Sequence, residues 1–339
     1  MSIYNANVGW GRAFIDSIAS IVPTFGKILV VMPSTDPNFD RVSDIVKTDP
    51  DGVVRIYTTV AAAYDAATTQ QNDVIVLSGY STHTVTEMLT VSKSRVHFIG
   101  LDGGGRFTAQ GARIQMGVTG VATDLAPVLV TGVRNSFRNI KFINASTTNE
   151  SLYGFIDNGE GTYIENCSMI KTAGLDDASW ANFWMAGDSL TMKNCVIGQS
   201  NIPSAVAHFG ILIDGKTGGA TDGTVKENFL ENIYVNMSVS TAAAATACFI
   251  KVADGSALNF NNVIKDLNAV NFVQNGTGTI MTDAVLGAAT VGGYLHLIRP
   301  SFMGCTGVGA GAGQGIYISN SVAPAANGGL GTELTDELS

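Results

Sequence analysis

The feature that most restricts what this chain can fold into is a short motif that returns about every 28 residues: an asparagine set between alternating apolar residues. It reads Phe137-Arg138-Asn139-Ile140-Lys141-Phe142, then Tyr163-Ile164-Glu165-Asn166-Cys167, then Leu190-Thr191-Met192-Lys193-Asn194-Cys195. Phe229-Leu230-Glu231-Asn232-Ile233 and Leu258-Asn259-Phe260-Asn261-Asn262-Val263 continue it. The repeat asparagines Asn139, Asn166, Asn194, Asn232 and Asn262 are 27, 28, 38 and 30 residues apart, so one unit carries an insertion of about ten residues, assigned to 216–223 (KTGGATDG). Fixed-period self-similarity of this length is the mark of a solenoid, in which each unit buries its apolar face only against its neighbours.

A second short strand precedes each asparagine strand and ends in an Asp or Gly turn, as in 154–157 (GFID), 183–188 (FWMAGD), 211–215 (ILIDG) and 249–255 (FIKVADG). Two or three short strands per unit of this size predict a right-handed parallel β-helix, with coils stacked about 4.8 Å apart. Asparagine tolerates the left-handed backbone that a sharp bend between strands needs, and its amides can bond from coil to coil. Of the 24 asparagines, 18 lie between Asn135 and Asn275, the stretch in which apolar spacing independently places the coils. A β-sandwich would instead show hairpin signals every 8 to 12 residues or so and no asparagine column.

The resulting division is an all-β chain with a small α/β cap or attachment segment at 1–92, the parallel β-helix at 93–322 and an acidic C-terminal arm at 323–339 that is expected to order only against a neighbour. Within the first part, 27–32 (KILVVM) and 73–77 (DVIVL) read as buried strands and 59–67 (TVAAAYDAA) as a short helix.

Thirty-nine glycines against eight prolines suit a chain of many tight turns, and a net charge of −9 disfavours contact with a phosphate backbone, so no nucleic acid is expected as a partner. The four cysteines form no CxxC or CxH cluster, and neither a metal nor a cofactor is expected. Cys167 and Cys195 both follow a repeat asparagine and should stack as small apolar residues on consecutive coils. No basic start precedes an apolar run at the N-terminus, and no stretch is long enough to span a membrane.

Parallel β-helices are common among polysaccharide lyases and glycosidases, which makes carboxylate pairs the first candidates for chemistry. Asp176 and Asp177 are the adjacent acidic pair of the coil region, although a solvated turn accounts for them better than catalysis does, and no catalytic residue is assigned. Asp157, Asp188, Asp214 and Asp254 end successive strands, where turn chemistry explains them better than calcium does. His83, His97, His208 and His296 share no metal-like spacing, and the polar loop Ser78-Gly79-Tyr80-Ser81-Thr82-His83 lacks a nucleophile signature. Tyr153, Phe155, Tyr163, Trp180, Phe183 and Trp184 cluster over two coils as core residues or as a sugar-stacking surface.

The N-terminal segments GWGRAF, PTFGKILVVM, DPDGVVRIYTTVAAAYDAA and NDVIVLSGYSTHTV together resemble the opening of parallel β-helix proteins encoded by tailed bacteriophages and their uncultured relatives. The resemblance covers residues 9 to 100 by motif and the remainder by repeat style. Such proteins often carry a Pro-Gly-His-Thr-like loop where this chain has residues 78–83 (SGYSTH). The resemblance implies a non-enzymatic virion structural protein, a capsid-surface or coat component, made in the host bacterial cytoplasm and assembling as a homo-oligomer, a trimer above all, with other virion proteins. The alternative is a tail-spike polysaccharide depolymerase or a glycan-binding adhesin, with host polysaccharide as partner.

Overall fold

The computed structural model describes residues 26–46, 54–101, 110–117, 125–147, 151–173, 179–200, 203–215, 224–253, 258–272, 279–287, 292–310, 315–324 and 330–334. They form a right-handed parallel β-helix with three faces and a small helical region near the N-terminus. The first face runs through Asp73–Leu77, Val96–Gly100, Ser136–Arg138, Tyr163–Glu165 and Thr191–Lys193, the second through Thr82–Val85, Arg113–Met116, Lys141–Asn144 and Ser168–Lys171. The third holds Leu89–Val91, Val128–Val130, Ile156–Asp157, Trp180–Met185, His208–Ile213, Cys248–Val252, Met281–Gly287 and Cys305–Ala310. Farther along, Phe229–Met237 and Leu258–Asn271 each run round the corner from the first face to the second without a break.

Because every coil repeats the same alternation, inward side chains line up in columns along the axis. Phe98, Phe137, Ile164, Met192, Leu230, Ile264, Leu297 and Ile318 succeed one another in register on the first face. Ile114, Phe142, Met169, Ile197, Val235, Ala269 and Phe302 do so on the second, and all of these are buried. Cys167 and Cys195 sit one coil apart in the interior as free thiols, and burial pushes that of Cys195 up to about 12.

From Asn139 onward, the bend between the first and second faces is made by a left-handed residue on each described coil. Asn139, Asn166, Asn194 and Asn232 have φ of 58°, 51°, 54° and 55°, and the next coils use Asp266, Arg299 and Asn320. Asn166 Nδ2 donates to Asn139 Oδ1 at 2.7 Å, and Asn232 Nδ2 to Asn194 Oδ1 at 2.7 Å. Asn262 lies elsewhere: the register of Glu231 with Lys265 sets Asp266, not Asn262, beside Asn232. Asn262 is buried at the opposite end of the face, where its Oδ1 accepts from Asn228 Nδ2 at 2.9 Å. The run of asparagines from Asn259 to Asn262 offers several alignments, and only the strand register separates them.

Two helices lie before the first complete coil, α1 (Phe39–Val46) and α2 (Val60–Ala66). Thr59 caps α2, accepting from Ala62 N at 3.2 Å, and Lys93 Nζ donates to the carbonyls of Tyr64, Asp65 and Ala67 at the other end. Tyr64 stacks on Phe98 at 6.3 Å, so α2 closes the core beneath the first coil.

The expected boundary at residue 93 is displaced. Ile28–Val31 pairs with Asp73–Leu77 in the first face, and Thr82–Val85 and Leu89–Val91 pair with the next strands of the second and third. The solenoid therefore takes in the described part of the segment assigned to the cap. The arm expected at 323–339 is also partly folded: Leu330–Leu334 turns back and pairs antiparallel with Ser321–Pro324. The insertion at 216–223 lies outside the described residues, and no described helix is long and apolar enough to cross a membrane.

Close stacking leaves some backbone positions no room for a side chain. At Gly198, with φ 86°, a Cβ would fall 2.2 Å from the Asn236 carbonyl oxygen of the next coil. Gly198→Ala is expected to destabilise the fold by about 2 kcal/mol in chemical denaturation, from left-handed strain plus the clash; a change within a few tenths would show that the wall yields freely.

Candidate functional site

The three outer faces differ in what they offer a ligand. On the first, Arg138, Glu165, Lys193, Glu231 and Lys265 follow one another in register and neutralise each other, with Arg138–Glu165 and Lys193–Glu231 at 3.5 Å and Lys265–Glu231 at 2.5 Å. On the third, the outward column is Leu129, Ile156, Trp184, Leu212 and Lys251. Ile156, Trp184 and Leu212 pack with Tyr153 and Phe209 in an apolar cluster separate from the core. Tyr153 lies 4.6 Å from Trp184, whose Nε1 donates to the Asp214 carbonyl at 2.8 Å. Burial, with the Asp214 charge adding to it, pushes the Tyr153 hydroxyl up to about 12.

Carboxylates converge at the corner between the third face and the first. The chain turns here through a second left-handed column, Arg95, Arg134, Gly161, Ser189 and Glu227. Arg134 N donates to the Glu160 carbonyl at 2.7 Å, Gly161 N to that of Asp188 at 2.8 Å and Ser189 N to that of Lys226 at 2.9 Å. These bonds set Glu160, Asp188 and Lys226 one above another on three consecutive coils. Glu160 is exposed, and Asp188 keeps 22% of its side-chain surface open. Lys226 Nζ lies 3.1 Å from Asp188 Oδ2, and Thr224 Oγ1 donates to Asp188 Oδ1 at 3.5 Å.

Behind this row Asp157 is fully buried inside its turn. Its Oδ1 accepts from Thr162 Oγ1 at 2.8 Å and from Gly159 N at 3.4 Å, while Oδ2 has no hydrogen-bond partner. Burial raises its proton affinity to about 7 against the pull of those two bonds, and the Asp188 charge adds to the rise. The corner thus combines an anion held by an ammonium, a second carboxylate one coil away and a buried acid that still binds a proton near neutral pH.

The candidates read from the sequence scatter over the molecule. Asp176, Asp177 and Asp254 lie outside the described residues. Asp157 is in register with Met185 and Ile213, whereas Asp188 is level with Glu160, so the strand-ending aspartates share no column. Among the described residues no group of three His, Cys, Asp or Glu is placed to hold a metal ion. Alternation splits the aromatic cluster: Phe155 and Phe183 pack in the core, Tyr153 and Trp184 lie outside, Trp180 stacks on His208, and Tyr163 sits under Arg138 on the first face. Near the loop at 78–83, Ser78 Oγ and Ser81 Oγ both donate to Asp36 Oδ2 at 3.0 Å, but His83 Nε2 meets the Ser78 carbonyl, not a hydroxyl. That arrangement activates no nucleophile.

Glu160 and Lys226 are the functional candidates that position after a strand does not reveal. Both obey a simple offset, since Glu160, Asp188 and Lys226 each stand six residues before a repeat asparagine (166 − 160, 194 − 188 and 232 − 226).

No known family and no curated protein matches this chain. Solved structures do. A pectin methylesterase solved in complex with a hexasaccharide is 14% identical, with a TM-score of 0.54 over 91% of this chain and 93% of its own. Pectin methylesterase PemA from Erwinia chrysanthemi is 14% identical, with a TM-score of 0.50 over 91% of this chain and 85% of its own. Pectate lyase Pel9A is 12% identical, with a TM-score of 0.52 over 89% of this chain and 78% of its own. Identity this low speaks for the fold. It also runs against the expectation of a non-enzymatic virion component, because these three structures of the same architecture are of enzymes, two pectin methylesterases and a pectate lyase. The chain has the right-handed parallel β-helix fold found in pectin methylesterases and a pectate lyase.

Proposed function

We propose that this protein is an enzyme that hydrolyses a polysaccharide at the corner formed by Glu160, Asp188 and Lys226. The observation that carries the reading is the stacking of two accessible carboxylates on consecutive coils with a lysine on the next. A coil spacing of about 4.8 Å is close to the separation of about 5 Å between the two carboxyls of hydrolases that retain anomeric configuration. Asp188, paired with Lys226, attacks or stabilises the anomeric carbon; Glu160 gives a proton to the leaving oxygen and takes one from the water that completes hydrolysis. Asp157 touches no substrate and acts as a positioning residue behind Asp188. The likeness in fold to enzymes named for pectin supports a polysaccharide as the substrate class.

The test is reducing-end release from a panel of plant and bacterial polysaccharides. Glu160→Gln and Asp188→Asn are each expected to lower kcat about 10²- to 10⁴-fold with KM little changed and the fold intact by circular dichroism. Full activity in both variants would remove the assignment.

A further inference from the structure

Farther along the same corner, three aromatic side chains stand exposed on three successive coils. Phe260 is 59% exposed, Tyr294 43% and Tyr317 39%. Asn259 is level with Lys226 and Gly292 with Asn259, so these coils follow those of Glu160 and Asp188, while the rings step from the corner on to the first face: Tyr294 is level with Asn261, one place past Phe260, and Tyr317 with His296 and Val263. Tyr294 and Tyr317 meet edge to face, with centroids 5.8 Å apart and planes at 88°.

Phe260 is held out by a built irregularity. Lys226 pairs with Asn259 and Asn228 with Asn262, so Glu227 alone faces both Phe260 and Asn261, as in a β-bulge. Phe260 follows Glu227 in the left-handed column of this corner, with φ 51°, a conformation uncommon for so bulky a residue. On the next coil Gly293 accommodates the bulge, since a Cβ there would lie 2.6 Å from Phe260 N.

The chemistry around the rings selects the occupant. The strand segments that carry them, 258–264, 292–297 and 316–319, contain no Asp, Glu, Lys or Arg. Exposed Asn261, half-buried Asn259 and the His296–Ser319 pair, joined at 3.0 Å, supply hydrogen-bonding groups among the rings. An aromatic surface edged with amides suits sugar rings, whose C–H faces stack while their hydroxyls bond at the side. With a net charge of −9, Glu227 facing Phe260 and Lys226 engaged by Asp188, the surface disfavours an anionic polymer.

We propose that Phe260, Tyr294 and Tyr317 form a stacking ladder that binds an uncharged or esterified polysaccharide chain lying obliquely across the three coils. The proposal rests on the polysaccharide reading of the corner and extends it by naming a second contact region and a preference for low substrate charge.

The test uses the full-length Glu160→Gln/Asp188→Asn protein, which retains the rings, in native affinity gels and calorimetry with three probes: highly methyl-esterified pectin, hydroxyethylcellulose and polygalacturonate. Retardation by one or both of the uncharged probes and not by polygalacturonate is expected. Replacing each ring with alanine should weaken binding about fivefold, and replacing all three at least about 25-fold, since a stacking contact is of the order of a kcal/mol. Phe260→Gly separates binding from structure: it should raise Tm by about 2–4 °C, because glycine adopts the left-handed backbone freely, while weakening retardation as Phe260→Ala does.

Unchanged retardation of the triple variant, binding of polygalacturonate alone, or no binding of any probe would overturn the ladder, as would burial of the rings in a concentration-dependent dimer seen by sedimentation. Retardation that depends on the rings, in a wild-type protein that cleaves nothing, would uphold the ladder and remove the hydrolytic assignment of Glu160 and Asp188. Cleavage that is unaffected by the triple variant would do the reverse.

Discussion

Phe137→Ala is expected to lower the free energy of unfolding by about 3–5 kcal/mol. Phe137 is completely buried at the point where coils and faces share aromatic contacts: it stacks on Phe98 at 4.9 Å and meets Phe142 and Phe155 edge-on at 5.8 and 5.4 Å. Phe142 and Phe155 also touch each other, at 4.7 Å, so removing one ring exposes a cavity wall on all three faces. A stacked solenoid has few ways to collapse into such a gap, because each coil is pinned to its neighbours by backbone hydrogen bonds. Urea denaturation followed by circular dichroism measures the loss. The contrasting change, Phe272→Ala, removes a side chain that is 43% exposed and should cost under about 0.5 kcal/mol. Equal costs for the two would mean that the aromatic knot does not organise the core.

The second large effect is a dependence of stability on pH. Asp157 binds its proton with an affinity raised from 3.8 to about 7, chiefly because burial disfavours its charged form. A carboxyl with a raised folded value favours the folded state below its unfolded value, and that advantage is lost as pH climbs through the folded value. The contribution should therefore be complete below about pH 4 and gone above about pH 7, a swing of the order of 4 kcal/mol at 1.36 kcal/mol per pH unit. Asp157→Asn keeps an oxygen for Thr162 and Gly159 and cannot ionise. Its stability should be nearly flat from pH 5 to 8 and should exceed that of the wild type at pH 8 by about 1–3 kcal/mol. Parallel stability curves for the two proteins across that range would show that Asp157 does not titrate there.

What the sequence makes legible follows from how local each signal is. The alternation around Asn139, Asn166, Asn194 and Asn232 is confined to a few residues, and it leads directly to a bend between two short strands. The same bend is invisible at Asp266 and Arg299, because there the backbone keeps its conformation while the residue changes. The start of the solenoid is hidden for a related reason: α1 and α2 fall between its first strands, and their helical texture looks like a separate segment. The corner row of Glu160, Asp188 and Lys226 depends on counting from the asparagines, because its members differ in type and make no local motif. Phe260 is harder still, since its outward position requires a bulge that only the pairing with Asn228 and Gly293 defines.

The function expected from the N-terminal resemblance rested on segments that lie mostly below residue 92, away from the corner. Neither those segments nor overall composition reports on carboxylates brought together by stacking across 28 and 38 residues, from Glu160 to Asp188 and from Asp188 to Lys226.

The central claim is hydrolysis by the Glu160–Asp188 pair, and proton NMR of the freshly cleaved chain ends tests it most directly. With whichever polysaccharide the wild-type protein shortens, the account predicts saturated reducing ends that first appear with the anomeric configuration of the bond that was cut, and no such signal from Asp188→Asn. Unsaturated ends, inverted anomers, or the same products at the same rate from Asp188→Asn would contradict it.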